Sequence, residues 1–430
     1  MTDQTHAGAM RALISRREFL KTAGLAASGV ALAACTKRTS APSPTPGTKT
    51  LVMAIQSFAH DAMRPVLDAW TEKTGHQVEL VAGPATGEGM IAEYAASFQA
   101  GTSPVDIFSD VDDSSPTFCR AGWIEPLDDV IPQETWDDFP KIFNSQIESF
   151  NSYEGKRYRV PHEFGIGYFW YRQDWFDGQG IQPPKTWDEF VEVGKAYTHN
   201  GISGTLEALI RPGLMFVYLG YITAQAGGSL FKFDEGTADA FQFVYDLIYT
   251  HKILPEESLN VDYTQQNETY MQDRVAMMRQ WPFFWGVSRD NADWYAGGKA
   301  EIALPPAGPA GPKSWWGGWG FSVPKYAPHK DEALDLIRWI TSNESAPSLA
   351  RAQSFFVAPR KSILAAMGDE GLVRYMKTYI ENNVPSARPF HENQAQAQGV
   401  VDEMGALFLT KQISLAEAMK QGAEQIKALG

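Results

Sequence analysis

Cysteine is almost missing from this chain of 430 residues, and positive charge is in short supply. Only Cys35 and Cys119 are present, too few for a disulfide-stapled scaffold or a Cys-x-x-Cys redox or zinc motif. The 37 Lys and Arg are outnumbered by 51 Asp and Glu, giving a net charge of −14. So acidic a balance excludes the basic stripes that bind nucleic acid. The N-terminal apolar run from Ala23 to Ala34 falls short of the roughly 20 residues that span a bilayer. His-Glu-x-x-His, Gly-x-Gly-x-x-Gly and Gly-x-Ser-x-Gly are all absent, which argues against zinc hydrolases, dinucleotide enzymes and serine hydrolases of the elbow type. No cofactor and no metal site is expected.

What is present begins with an address. Ser15-Arg16-Arg17-Glu18-Phe19-Leu20-Lys21 precedes the apolar run, which ends in Leu32-Ala33-Ala34-Cys35. A basic start, a short apolar middle and small residues at the end are the layout of a signal peptide. The arginine pair resembles a twin-arginine export signal, and the last four residues resemble a lipoprotein cleavage box. That resemblance makes residues 1–34 a removable leader and Cys35 the lipidated first residue, anchoring the protein on the outer face of the cytoplasmic membrane. Cys119 is then left as a small core residue. Residues 35–49, with Pro42, Pro44 and Pro46, read as an extended tether.

The remaining chain, 44% hydrophobic and 20% charged, is globular and long enough for two lobes. Leu51 to Ile55, His60 to Thr74, Gln77 to Val81, a helix carrying Ile91, Tyr94 and Phe98, and Val105 to Phe108 alternate strand and helix. Such an order implies a parallel sheet, with ligands beyond the carboxyl ends of its strands, where Gln56, Ser57, Asp110, Asp112 and Asp113 stand. The three aspartates serve a ligand or cap the turn before Ser114-Ser115-Pro116. A helix holding Tyr270, Val275, Met277 and Met278 is predicted before Trp281. Thr186 is predicted to cap a helix with Glu189, and Gln394 to Leu429 to form two helices. The 13 Trp, 16 Tyr and 24 Phe mostly fill cores, but Trp281-Pro-Phe-Phe-Trp285 and Trp315-Trp316-Gly-Gly-Trp319 stand among Gly and Pro, in the setting of loops that meet a ligand.

Motif order carries a resemblance. Val105-Asp-Ile-Phe108, Ala121-Gly-Trp123, Pro126-Leu-Asp128, Val160-Pro161, Trp170-Tyr-Arg172, Pro183-Pro-Lys-Thr-Trp187, Ala276-Met-Met278, Trp281-Pro282, Gly317-Gly-Trp319, Ala358-Pro-Arg360 and Ala387-Arg-Pro389 follow one another as they do in the carbohydrate-binding branch of the extracellular solute-binding proteins of ABC importers. The chain is similar to the maltose and trehalose binders of that branch. The resemblance implies an α/β, two-lobed periplasmic-binding-protein-like fold, each lobe a mostly parallel sheet flanked by helices, joined by a multi-crossing hinge. Crossings are expected near residues 163–167, 304–306 and 357–359. Residues 50–163 and 306–357 would form one lobe, and 164–305 with 358–430 the other. The implied function is that of a monomeric receptor without catalysis that closes on a carbohydrate or polyol and passes it to a permease.

A sugar offers apolar faces and a rim of hydroxyls, so its site needs flat rings and planar hydrogen-bonding groups. By the resemblance, Trp281 and Trp319 stack, Gly318 lets backbone approach, and Arg388 either donates to hydroxyls or forms a salt bridge. Gln56, Ser57, Asp110, Asp112, Glu163, Tyr168, Phe283, Phe355 and Arg360 complete the expected site. Relatives often carry aspartate where this chain has Gly165 and Val111, a role left to Glu163 and to Asp110 or Asp112. Two other classes fit the composition: a secreted glycoside-acting enzyme pairing Glu163 with Asp112, and a receptor for a cation such as a polyamine.

Overall fold

The computed structural model describes residues 47–84, 86–291, 294 and 298–430, so the leader, Cys35 and the start of the tether lie outside the described residues. Its strands are β1 (Thr50–Ile55), β2 (Gln77–Ala82), β3 (Ile107–Val111), β4 (Ser152–Tyr153), β5 (Lys156–Arg157), β6 (Val160–Ile166), β7 (Tyr168–Arg172), β8 (Ser203–Thr205), β9 (Val275–Gln280), β10 (Ala300–Ala303), β11 (Ser314–Ser322) and β12 (Pro385–Ala387). They build two principal sheets. The first runs β12-β11-β3-β1-β2 with β6 on β11, and the second runs β10-β7-β9-β8.

The first sheet starts as the alternating pattern predicts: β1 pairs in parallel with β2 and with β3. The His60–Thr74 helix between β1 and β2 buries Met63, Val66, Leu67 and Trp70 on one face and stops at Gly75, whose φ of 79° is left-handed. Thr186 caps the Trp187–Tyr197 helix by accepting from the Glu189 backbone, while the Glu189 carboxylate reaches the Lys185 N–H at 2.7 Å rather than that of Thr186. Cys119 is buried, and the C-terminal helices Gln394–Leu409 and Leu415–Ala428 stand where periodicity placed them.

Three expectations give way. Val275, Met277 and Met278 are in strand β9, not in the helix before Trp281, which ends at Met271. A run buried on both faces has no helical or strand period to read, so length alone had to arbitrate. Phe283–Asp290 is a helix with Pro282 at its N-cap rather than a loop. The Trp315 to Trp319 segment is the centre of β11, a nine-residue strand. Its glycines mark close approach instead of a turn: a Cβ on Gly318 would lie 2.6 Å from the Phe164 ring, and one on Gly320 2.6 Å from Cγ of Arg159.

The chain changes sheets at Gly167, between β6 and β7, and again between β10 and β11. Beyond residues 357–359 the chain comes back to the first sheet, where β12 pairs with Ser314, Trp315 and Trp316 at its edge. One core spans both sheets, taking Phe164 and Trp316 from the first and Tyr168, Trp170 and Met278 from the second. A second core lies under the helices of the second sheet, where the Leu214–Ala226 helix presses Gly220 onto Trp315: a Cβ there would stand 1.8 Å from the indole. Gly220→Ala is therefore expected to destabilise the fold by about 2 to 3 kcal/mol through overpacking, read as a lower urea midpoint.

Candidate functional site

Three strands of the first sheet set one wall. In register, Trp319 of β11 lies opposite Val111 of β3 on one side and Glu163 of β6 on the other, so the three side chains share a face. The pairing slips between Trp319 and Gly320, which face Glu163 and Pro161, so His162 is an extra residue on β6. This bulge is what brings Glu163 beside Trp319. Trp319 is half-buried and meets Phe355 edge-on with centroids 5.7 Å apart; Phe355 in turn meets the exposed Phe58 at 5.1 Å. Glu163 is buried, and burial, reinforced by the charge of Asp112, holds its pKa well above the usual carboxylate range.

The facing wall comes from the end of β9. The Trp281 Nε1–H donates to the Tyr263 hydroxyl at 2.7 Å, and Phe283 packs edge-on against Tyr263 at 5.9 Å. The guanidinium of Arg279 lies 3.9 Å from the centre of the Trp281 ring. Gly165 joins the walls, since a Cβ on it would fall 2.6 Å from Glu163 Oε1 and 3.3 Å from Cδ of Pro282. Trp281, Phe283, Glu163, Trp319 and Phe355 thus belong to elements that meet at one seam.

The acidic row after β3 is engaged in structure. Asp112 is fully buried, pairs with Arg159, and through Oδ2 accepts from Gln146 Nε2 at 2.6 Å and from the Gly318 N–H at 2.7 Å. Every oxygen of Asp112 is occupied, so it offers neither a free acceptor nor the second carboxylate of a hydrolytic pair. Asp110 accepts from Ser114 Oγ at 2.5 Å, leaving Oδ2 without a partner, and burial pushes its pKa up to about 6. Asp113 accepts from Arg388 Nη2 and Gln398 Nε2, each at 2.7 Å. Of the two roles open to Arg388, the salt bridge is the one formed here, although its Nε has no partner.

Others of the expected set are packed in the core or held by protein partners. Tyr168 is buried in the shared core against Tyr379, at 5.0 Å between rings. Arg360 is a staple: it pairs with Asp138 at 3.0 Å, donates to the Thr341 carbonyl at 2.6 Å and reaches Asn343. Gly318 serves the strand, its N–H on Asp112 and its carbonyl accepting from Arg159 at 3.3 Å. Gln56 donates to the Pro84 carbonyl at 2.9 Å with its Oε1 unpartnered, and Ser57 is exposed.

Sequence reading passed over Glu207 and Arg279. Glu207 interrupts the apolar run from Leu206 to Ile210 and Arg279 directly follows the run from Val275 to Met278, and a charge set against such a run was the available signal. Glu207 is buried; its Oε1 accepts the Arg279 backbone N–H at 2.9 Å, and Oε2 accepts from Gln266 at 3.3 Å. Burial raises its pKa from 4.5 to about 8. The folded protein therefore keeps a proton that the unfolded chain releases, so this contribution is complete below pH 4.5 and is lost as pH rises to about 8. Glu207→Gln should flatten that loss: the fall in stability between acidic and mildly alkaline pH, followed by urea midpoints, shrinks by more than about 1 kcal/mol. An unchanged pH slope would mean that Glu207 titrates normally.

The profile of the bacterial extracellular solute-binding proteins matches residues 59–347, about two thirds of the chain. The chain belongs to this family. A probable ABC transporter-binding protein of Deinococcus radiodurans is 26% identical over 324 residues, 71% of this chain and 75% of the relative. An arabinooligosaccharide-binding protein of Halalkalibacterium halodurans is 24% identical over 302 residues, covering 66% of this chain and 65% of its own length. Among solved structures, maltose-bound MalE3 of T. maritima superposes with a TM-score of 0.78 at 22% identity, over 89% of this chain and 100% of that one. A ribitol complex from Agrobacterium radiobacter gives 0.74 at 18% identity, over 89% and 99%. These likenesses establish the two-lobed fold. In this solute-binding protein the two walls come from different sheets.

Proposed function

We propose that this chain is a receptor without catalytic activity that captures a carbohydrate or polyol at the seam and delivers it to the permease of an ABC importer. The observation that carries this reading is the pairing of Trp319 with Glu163 on adjacent strands, a flat ring beside a buried carboxyl. Rings from the other wall, Trp281 and Phe283, supply the second apolar surface. The printed ligands of relatives point the same way: arabinooligosaccharide and maltotriose in two sequence relatives, maltose and ribitol in two structures. Binding across two lobes lets ligand favour the closed arrangement, which a permease can distinguish from the open one. Export by the Ser15 to Lys21 signal and a lipid on Cys35 would hold the receptor beside that permease.

Lobe boundaries at 50–163 with 306–357 and at 164–305 with 358–430 remain part of this proposal, amended by β12. The glycosidase alternative needs two free carboxylates, and Asp112 is committed to Arg159, Gln146 and Gly318. Tryptophan fluorescence of the purified protein, titrated with neutral and acidic sugars, polyols and spermidine, tests the reading. Saturable response to a sugar or polyol recovered intact supports it. A response confined to spermidine, or turnover of the sugar, overturns it.

A further inference from the structure

Among the described residues five arginines are buried, and four of them face an aspartate: Arg159 with Asp112, Arg172 with Asp174 and Asp273, Arg360 with Asp138 and Arg388 with Asp113. Arg279 is the exception among the described residues. It is 3% exposed, and its Nε and Nη2 have no hydrogen-bond partner. An uncompensated buried cation is costly in a folded chain, and stacking on Trp281 leaves its N–H groups unsatisfied. The neighbouring Glu207 spends its oxygens on the Arg279 backbone, Thr205 and Gln266.

The unpartnered atoms form one edge of the guanidinium, whose two N–H groups match two oxygens of a carboxylate or phosphate. Glycine keeps side-chain atoms off that edge: a Cβ on Gly167, at the crossing between β6 and β7, would stand 2.5 Å from Nε and 2.8 Å from Nη2. Arg279 also lines a small hollow with the side chains of Trp187, Tyr218, Tyr221 and Gln225. An aromatic hollow, a stacking indole and a waiting guanidinium therefore adjoin one another.

We propose that Arg279 is an anion-recognition residue, and that the carbohydrate captured by this protein carries an acidic group, a carboxylate or a phosphate. The proposal rests on the carbohydrate-receptor reading. It is tested by calorimetric titration of the purified protein with neutral sugars, each beside its uronic acid and its phosphate ester. One acidic member should bind at least about tenfold tighter than its neutral parent, and the preferred ester or acid identifies the source of the charge. Arg279→Gln should weaken the acidic ligand by roughly a hundredfold and the neutral one by less than about threefold. Gly167→Ala, which keeps the charge but blocks the edge, should act in the same direction. Added salt should weaken only the acidic ligand of the wild-type protein, a readout that does not depend on any variant folding. Equal binding of neutral and acidic members, or equal losses of both in Arg279→Gln, overturns the role of Arg279 and leaves the carbohydrate reading standing. If no sugar of either charge binds, both fall.

Discussion

Replacing Trp319 by alanine is expected to weaken sugar binding by roughly thirty- to a hundredfold, a loss of about 2 to 3 kcal/mol, typical of a buried aromatic anchor. The fold should survive, because the ring is only half-buried and its neighbours Phe355 and Phe58 remain in contact with each other. Far-ultraviolet circular dichroism would show the fold, and calorimetric titration the affinity. Trp319→Phe should recover most of the binding, since a smaller ring still presents a flat face. Undiminished affinity in Trp319→Ala would remove this residue from the site and with it the main support for the seam.

A second large effect is expected at Asp112. Asp112→Asn leaves Arg159, fully buried, without its carboxylate, and removal of one partner from a buried ion pair costs about 3 to 5 kcal/mol. The same change disturbs the acceptor of the Gly318 N–H, next to Trp319, so ligand affinity should fall along with stability. Replacing both partners with apolar residues, as in Asp112→Leu with Arg159→Met, should restore much of the stability, because the isolated charge rather than the lost attraction is what destabilises. Urea denaturation of the single and double variants measures the difference. A cost below about 1 kcal/mol in Asp112→Asn would mean that the pair is not holding the strand ends together.

These two residues illustrate how far residue type alone can be read. Both were candidates from sequence, one as a stacking ring and one as a hydroxyl acceptor. Trp319 lies on a face shared with Glu163, while Asp112 is claimed by Arg159 and Gln146, residues distant from it along the chain. A carboxylate looks the same in sequence whether its oxygens are free or taken. Tyr168 and Arg360 show the same limit: an amphipathic side chain suits a ligand site and a core equally well, and only its neighbours decide. Arg279 shows the converse, a cation hidden in an apolar strand whose interest lies in the partner it lacks.

By itself the sequence determined the α/β alternation, the glycine stop of the His60–Thr74 helix, the acidic character and the order of motifs that places the chain in its family. Those properties follow from local periodicity, backbone preference and summed charge, all of which are visible along the chain. Tertiary structure alone decided that the tryptophan-glycine run is a strand, that β12 returns to the first sheet, and which acidic groups stay unclaimed. Pairing register and burial bring together residues far apart in sequence, and it is at such meetings that the hydrogen bonds and charges of a site are settled.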